Sequence, residues 1–123
     1  MIKNILLVGL GGGIGSMARY LCQKWFADTF QHPIPWGTFT VNLIGCFAIG
    51  IFWGLSFKSF AANEHWKLLL MTGLCGGFTT FSAFTLEGIG LIKEQRLALF
   101  FSYVAASMVL GLLATFIGMK ITR

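Results

Sequence analysis

Apolar residues run along the chain in four long stretches, separated by short polar pieces. The stretches span 4–21, 37–57, 67–92 and 97–119, each close to the roughly 20 residues that an α-helix needs to cross a bilayer. Charges gather in the pieces between them: KWFADTFQHPIP, KSFAANEHWK, KEQR and a terminal KITR. Pro33 and Pro35 fall in the first connector, after the first helix is expected to have ended. Lys3 followed by an apolar run resembles a signal peptide, but the run is rich in glycine and reaches Arg19 without a small-residue cleavage pattern, so it reads as a retained helix. Residues 1–123 therefore form one four-helix transmembrane domain, with no stretch left for a soluble one.

Composition agrees. Only 11% of the 123 residues are charged, against about a quarter in a soluble domain, and the mean hydropathy is +0.79. Such a surface is solvated by lipid. The three cysteines, Cys22, Cys46 and Cys75, are odd in number and show no CxxC spacing, which supports neither a disulfide framework nor a zinc site.

Four crossings put both termini and the second connector on one side. Lys3, Lys58, Lys67, Lys120 and Arg123 lie there, and Arg19, Lys24, Lys93 and Arg96 lie opposite, five against four. An excess of Lys and Arg normally marks the cytoplasmic side. Either one assignment is misplaced and hides a bias, or the chain inserts both ways up, which would permit an antiparallel dimer.

Glycine is abundant. GIGSMA (residues 13–18) fits the dinucleotide fingerprint GxGxxG/A, but that motif requires a strand before it and a βαβ unit around it, and neither is available. No nucleic acid is expected among the partners either. Gly9 and Gly13, Gly11 and Gly15, and Gly50 and Gly54 stand four apart, the spacing of small-residue strips on which another helix lies closely.

The third stretch is interrupted at GLCGGFTTFSAF (residues 73–84). Gly76-Gly77 weakens the helix and Thr79, Thr80 and Ser82 supply hydroxyls for freed backbone groups, so an unwound turn is expected near Gly76 to Thr79. Carbonyls freed there can coordinate a cation, as in the broken helices of transporters. The alternative is a plain helix whose Gly-Gly packs on a neighbour. Phe81 and Phe84 share one helical face, where ring edges, the positive part of the quadrupole, can meet an anion. Asn42 is a polar side chain deep in the second stretch. Tyr103, Ser107 and Thr115 place hydroxyls on the fourth, the first two on one face. Glu87 is the acid placed within a helix, and Arg19 is expected to snorkel to the interface.

GTFTVNLIG and GLCGGFTTFSAF, in this order and spacing, and GGGIGSMAR ahead of them resemble the signatures of the fluoride channel family, the small four-helix Fluc or CrcB proteins, over the whole chain. The resemblance implies an all-α membrane protein with a third helix broken near its middle, assembled as a dual-topology antiparallel homodimer with two fluoride pathways. It implies a structural Na⁺ at the dimer centre, held by the backbone carbonyls of Gly76 and Thr79. Asn42, Phe81 and Phe84 match the pathway asparagine and phenylalanines. Thr38, Ser82 and Thr115 fall on the family's hydroxyl track, and Arg19 and Glu87 match its charged positions. Gly111 departs from the family, which often has a serine there, and leaves a gap in that track.

The expected function is passive: fluoride leaves the cell through the inner or plasma membrane, driven by a potential worth about 2.3 kcal/mol per charge per 100 mV. Several weak donors in series offset dehydration without trapping the ion. A proton-coupled small multidrug exporter would carry a carboxylate in its first helix, and this one has none. A non-transporting scaffold would not need the Asn42, Thr-Thr and double-Phe constellation.

Overall fold

The computed structural model describes residues 1–30, 34–57 and 64–122. Pro33, Lys58 and Arg123, used above for a helix end and for the charge count, lie outside the described residues. Four helical spans are long and apolar enough to cross a membrane: α1 (Ile2–Thr29), α2 (Trp36–Ser56), a composite third span Glu64–Lys93, and α6 (Leu97–Thr122). The third is built from α3 (Glu64–Lys67), a π-helical segment Leu68–Cys75, α4 (Gly76–Phe78) and α5 (Phe81–Lys93).

The expected first helix ends eight residues too early. Hydropathy falls after Leu21, but the chain stays helical to Thr29 because the polar stretch carries helical pairings of its own. Lys24 Nζ bonds Asp28 Oδ2 at 3.2 Å one turn on, and the Phe26 ring meets Trp25 edge-on at 5.0 Å and Phe30 at 5.6 Å. All four tryptophans mark span edges: Trp25 and Trp36 on one side, Trp53 and Trp66 on the other. Trp36 to Trp53 spans about 26 Å at 1.5 Å per residue, close to a hydrocarbon core's thickness.

Two pairs of helices hold the bundle, and glycine makes both. A Cβ on Gly11 would strike the Leu69 carbonyl and reach Leu74 N at 2.9 Å, and one on Gly15 would reach Phe78 N at 2.8 Å. Gly77 lies as close to Gly12, so α1 meets the first half of the third span backbone to backbone. In the second pair, Cβ atoms on Gly50 and Gly118 would approach Met119 N to 3.1 Å and Ile51 N to 2.9 Å, and Gly54 faces Thr122 and Met119. In lipid such close approach supplies dispersion contacts that the hydrophobic effect does not. The strip reading holds for Gly11/Gly15 and Gly50/Gly54. It does not hold for Gly9/Gly13, where a Cβ added to either residue would meet nothing within 4 Å.

The second half of the third span is placed differently. α5 rests on α6 and touches α2 lightly, and a turn at Glu94–Arg96, with Gln95 at φ 60°, brings α6 back along it. Phe81, Leu86 and Ile89 are exposed on its outer face.

Candidate functional site

The break falls at the end of the expected Gly76–Thr79 turn and runs one residue past it. Gly76, Gly77 and Phe78 are helical, and the chain is extended at Thr79 (ψ 158°) and Thr80 (φ −149°, ψ 113°). Gly77 is therefore part of the packing surface against α1, and the two β-branched threonines, which favour extended backbone, form the break. Both readings of the motif apply, to neighbouring residues.

Several of the backbone groups freed there find partners. Thr80 N–H donates to Asn42 Oδ1 at 2.7 Å, and Asn42 Nδ2 donates to Thr80 O at 3.1 Å, so one amide clamps the break from α2. Thr80 Oγ1 accepts from Ala83 N at 3.1 Å and caps α5. Thr79 N–H and Oγ1 both donate to Cys75 O at 3.0 Å. Gly77 O accepts from Arg19 Nε at 3.1 Å and Ser16 Oγ at 3.5 Å. Arg19 thus does not snorkel to an interface; it reaches across to the broken helix, because a guanidinium satisfies an orphaned helix carbonyl at membrane depth. Withdrawing Arg19 from the connectors leaves the Lys and Arg count at five against three.

Two carbonyls remain whose ordinary α-helical donors are committed elsewhere. The N–H that would bond Gly76 O is that of Thr80, taken by Asn42, and the N–H that would bond Thr79 O is that of Ala83, taken by Thr80 Oγ1. These are hard, neutral oxygen donors of the kind that hold an alkali cation at a broken helix.

Below the clamp lies a cavity of about 330 Å³, lined among others by Asn42, Thr80, Phe81, Phe84 and Ser107. Its lining carries no charged residue. Phe81 and Phe84 stand 5.8 Å apart, and Phe84 continues to Tyr103 at 5.1 Å and from there to Phe39 at 6.4 Å. Tyr103 is 2% exposed, and its hydroxyl and Ser107 Oγ are buried without a hydrogen-bond partner among the described residues. Asn42 spends one amide hydrogen on Thr80, which leaves one of its two. Phe81 is 75% exposed, and Ser82, also exposed, lies 3.4 Å from Thr80 Oγ1.

A second cavity, of about 620 Å³, opens between the ends of α1 and α2 and is lined by Gln23, Phe26, Trp36, Thr38 and Glu87, among others. Here Gln23 Nε2 donates to Thr38 Oγ1 at 3.0 Å, and Thr38 Oγ1 donates to Glu87 Oε1. Gln23 occupies the helical extension that hydropathy excluded, which is why sequence reasoning missed it; Ser16 was hidden among small residues taken for packing.

The expected residues thus fall into separate places. Asn42, Phe81, Phe84 and Ser107 meet at the smaller cavity, with Tyr103 behind Phe84, and Thr38 and Glu87 meet at the larger one. Thr115 joins neither lining. Its hydroxyl donates to Cys46 O at 3.0 Å in the α2–α6 seam. Gly111 lies in the same seam, where a Cβ would stand 3.6 Å from Cys46 Sγ.

A four-span membrane protein with a clamped break, uncharged donors and an aromatic row belongs to the channels and carriers rather than to the enzymes. Residues 6–119 match the family model of the CrcB-like proteins, Camphor Resistance (CrcB), and the chain belongs to that family. It is 43% identical over 116 residues, 94% of this chain and 91% of the relative, to the fluoride-specific ion channel FluC of Leptospira interrogans serogroup Icterohaemorrhagiae serovar copenhageni (strain Fiocruz L1-130). Proteins of the same name from Rhizobium etli (strain ATCC 51251) and Flavobacterium psychrophilum are 45% and 42% identical, covering 96% and 99% of this chain and 94% and 98% of theirs.

Proposed function

We propose that this protein is a fluoride-selective passive channel that lets cytoplasmic fluoride out across the inner or plasma membrane. The observation that carries the reading is the pair of buried hydroxyls, Tyr103 Oη and Ser107 Oγ, without a partner beside Phe84 and the cavity that Asn42 lines. A buried donor left unmade costs about 1–3 kcal/mol. A small, strongly hydrogen-bonding anion passing the cavity accepts from such donors and is released again, because no Lys or Arg lines the wall to hold it. The names of the relatives supply the ion.

The exposure of Phe81 and of the α5 face supports a second copy completing the site. In the arrangement that the family resemblance implies, two chains pack antiparallel and give two pathways. Gly76 and Thr79 of each chain contribute carbonyls to one structural Na⁺, which offsets their dipoles and adds positive potential between the routes. The residual Lys and Arg excess of two is a weak orienting signal, compatible with insertion both ways up.

Fluoride efflux from vesicles loaded with potassium fluoride, started with valinomycin, tests the reading in the variant Tyr103→Phe/Ser107→Ala. Removing two unmade donors should raise thermal stability or leave it unchanged, while fluoride efflux slows at least about tenfold, the loss of roughly 1.4 kcal/mol in the barrier region. Unchanged efflux in the double variant would remove the hydroxyls from the pathway.

A further inference from the structure

Three sulfur-bearing side chains line the smaller cavity. Cys46 from α2, Cys75 from the π-helical segment and Met108 from α6 all line it, three side chains from three different spans. Both thiols are free, and both line the same cavity. Gly111 presents no side chain to Cys46 Sγ, which keeps the thiol uncrowded on its α6 side. Among the described residues no three His, Cys, Asp or Glu side chains come together, so the set suits no hard or borderline divalent ion. Thiol plus thioether is instead the donor set of soft monovalent cations.

We infer that Cys46, Cys75 and Met108 form a binding site for Ag⁺ or Cu⁺ in the cavity wall. Binding moves no electrons: one thiol S–H bond breaks, a sulfur–metal bond forms and the proton leaves to water. One thiolate then neutralises the cation, and the second thiol and the thioether complete the coordination as neutral donors. The buried site carries no net charge, which avoids the desolvation cost of an uncompensated ion. The competing explanation is that the cysteines are small packing residues and Met108 is a lipid-facing one. Convergence on one cavity argues against it, and Cys22, which does not line that cavity, provides an internal control. On the channel reading, a metal held there narrows the space before Phe81 and Phe84 and stops fluoride; this consequence rests on that reading, whereas metal binding does not.

The test uses the full chain in nanodiscs in a chloride-free nitrate buffer, with Ag⁺ as the probe. In a Cys22→Ser background, one Ag⁺ per chain and one released proton should survive gel filtration. Adding Cys46→Ser and Cys75→Ser should abolish both, and Met108→Leu should weaken binding at least roughly tenfold, as loss of a ligand-shell contact does. In the unmodified chain one Ag⁺ per chain should protect Cys46 and Cys75 from N-ethylmaleimide while Cys22, a single donor that competes poorly with three, still reacts, a readout that needs no variant to fold. Silver should halt fluoride efflux in the Cys22→Ser protein and leave the triple-serine protein unaffected. Equal silver binding with and without the two serines, or alkylation of all three cysteines alike in the presence of Ag⁺, would overturn the site. Silver bound as described to a protein that passes no fluoride would uphold the site and reject the channel reading.

Discussion

The two halves of the third span obey different rules. The first half, Leu68–Phe78, is fixed to α1 through glycine, with main chains so close that a methyl group would part them. The second half, α5, leans on α6 through aromatic rings and turns an apolar face outward. Between them two extended threonines release the helix, and the released groups are collected by Asn42 from one side and Arg19 from the other. On the proposed channel reading, the first half is the immobile frame and the second is the wall that meets the ion without gripping it.

Breaking the frame should have the largest effect. Gly11→Ala puts a methyl into the Leu69 carbonyl and should cost about 1–3 kcal/mol or more, read as loss of folded protein on gel filtration and in thermal melts. Gly13→Ala, two residues away with nothing within 4 Å, should instead gain up to about 1 kcal/mol from helix propensity. If both substitutions behaved alike, the backbone contact would not be what holds this half.

Breaking the hinge comes next. Asn42→Ala removes two hydrogen bonds to Thr80, each worth about 1 kcal/mol, and exposes both groups at membrane depth. Stability and fluoride efflux should fall together, and Asn42→Asp should rescue neither, since a carboxylate cannot donate to Thr80 O. On the proposed ion-facing wall the two readouts should separate. Phe81→Ile should slow efflux about tenfold, one 1.4 kcal/mol step, and move the melting temperature less, because within the chain the ring is 75% exposed and isoleucine keeps an apolar side chain there.

Thr115→Val should do least. It deletes one bond to Cys46 O, worth about 0.6 kcal/mol on average between membrane helices, and should leave efflux as it was. A large drop in efflux would return Thr115 to the pathway and contradict its place in the seam.

Much of this was legible in the residues. The meeting of Asn42 with the two phenylalanines was implied by the family resemblance, whereas four crossings, the break and the strips at Gly11/Gly15 and Gly50/Gly54 follow from spacing and polarity. The position of the break did not, because Gly-Gly and Thr-Thr both disfavour a helix and only the approach of α1 decides which pair stays helical. Arg19 was misread since a charge near a span's end looks the same whether it turns to water or to a carbonyl fifty-eight residues away in sequence. The bond from Thr115 to Cys46 O was illegible for the same reason: a hydroxyl's residue type does not reveal its acceptor. Gln23 escaped notice because hydropathy ends a span before the helix itself ends.

The most direct test of the central claim is the rate at which unmodified protein releases ions from vesicles loaded with potassium fluoride or, in parallel, potassium chloride, with valinomycin present. Rapid fluoride release with chloride retained is the predicted result. Folded protein that releases no fluoride, or that releases chloride as fast, would contradict the account.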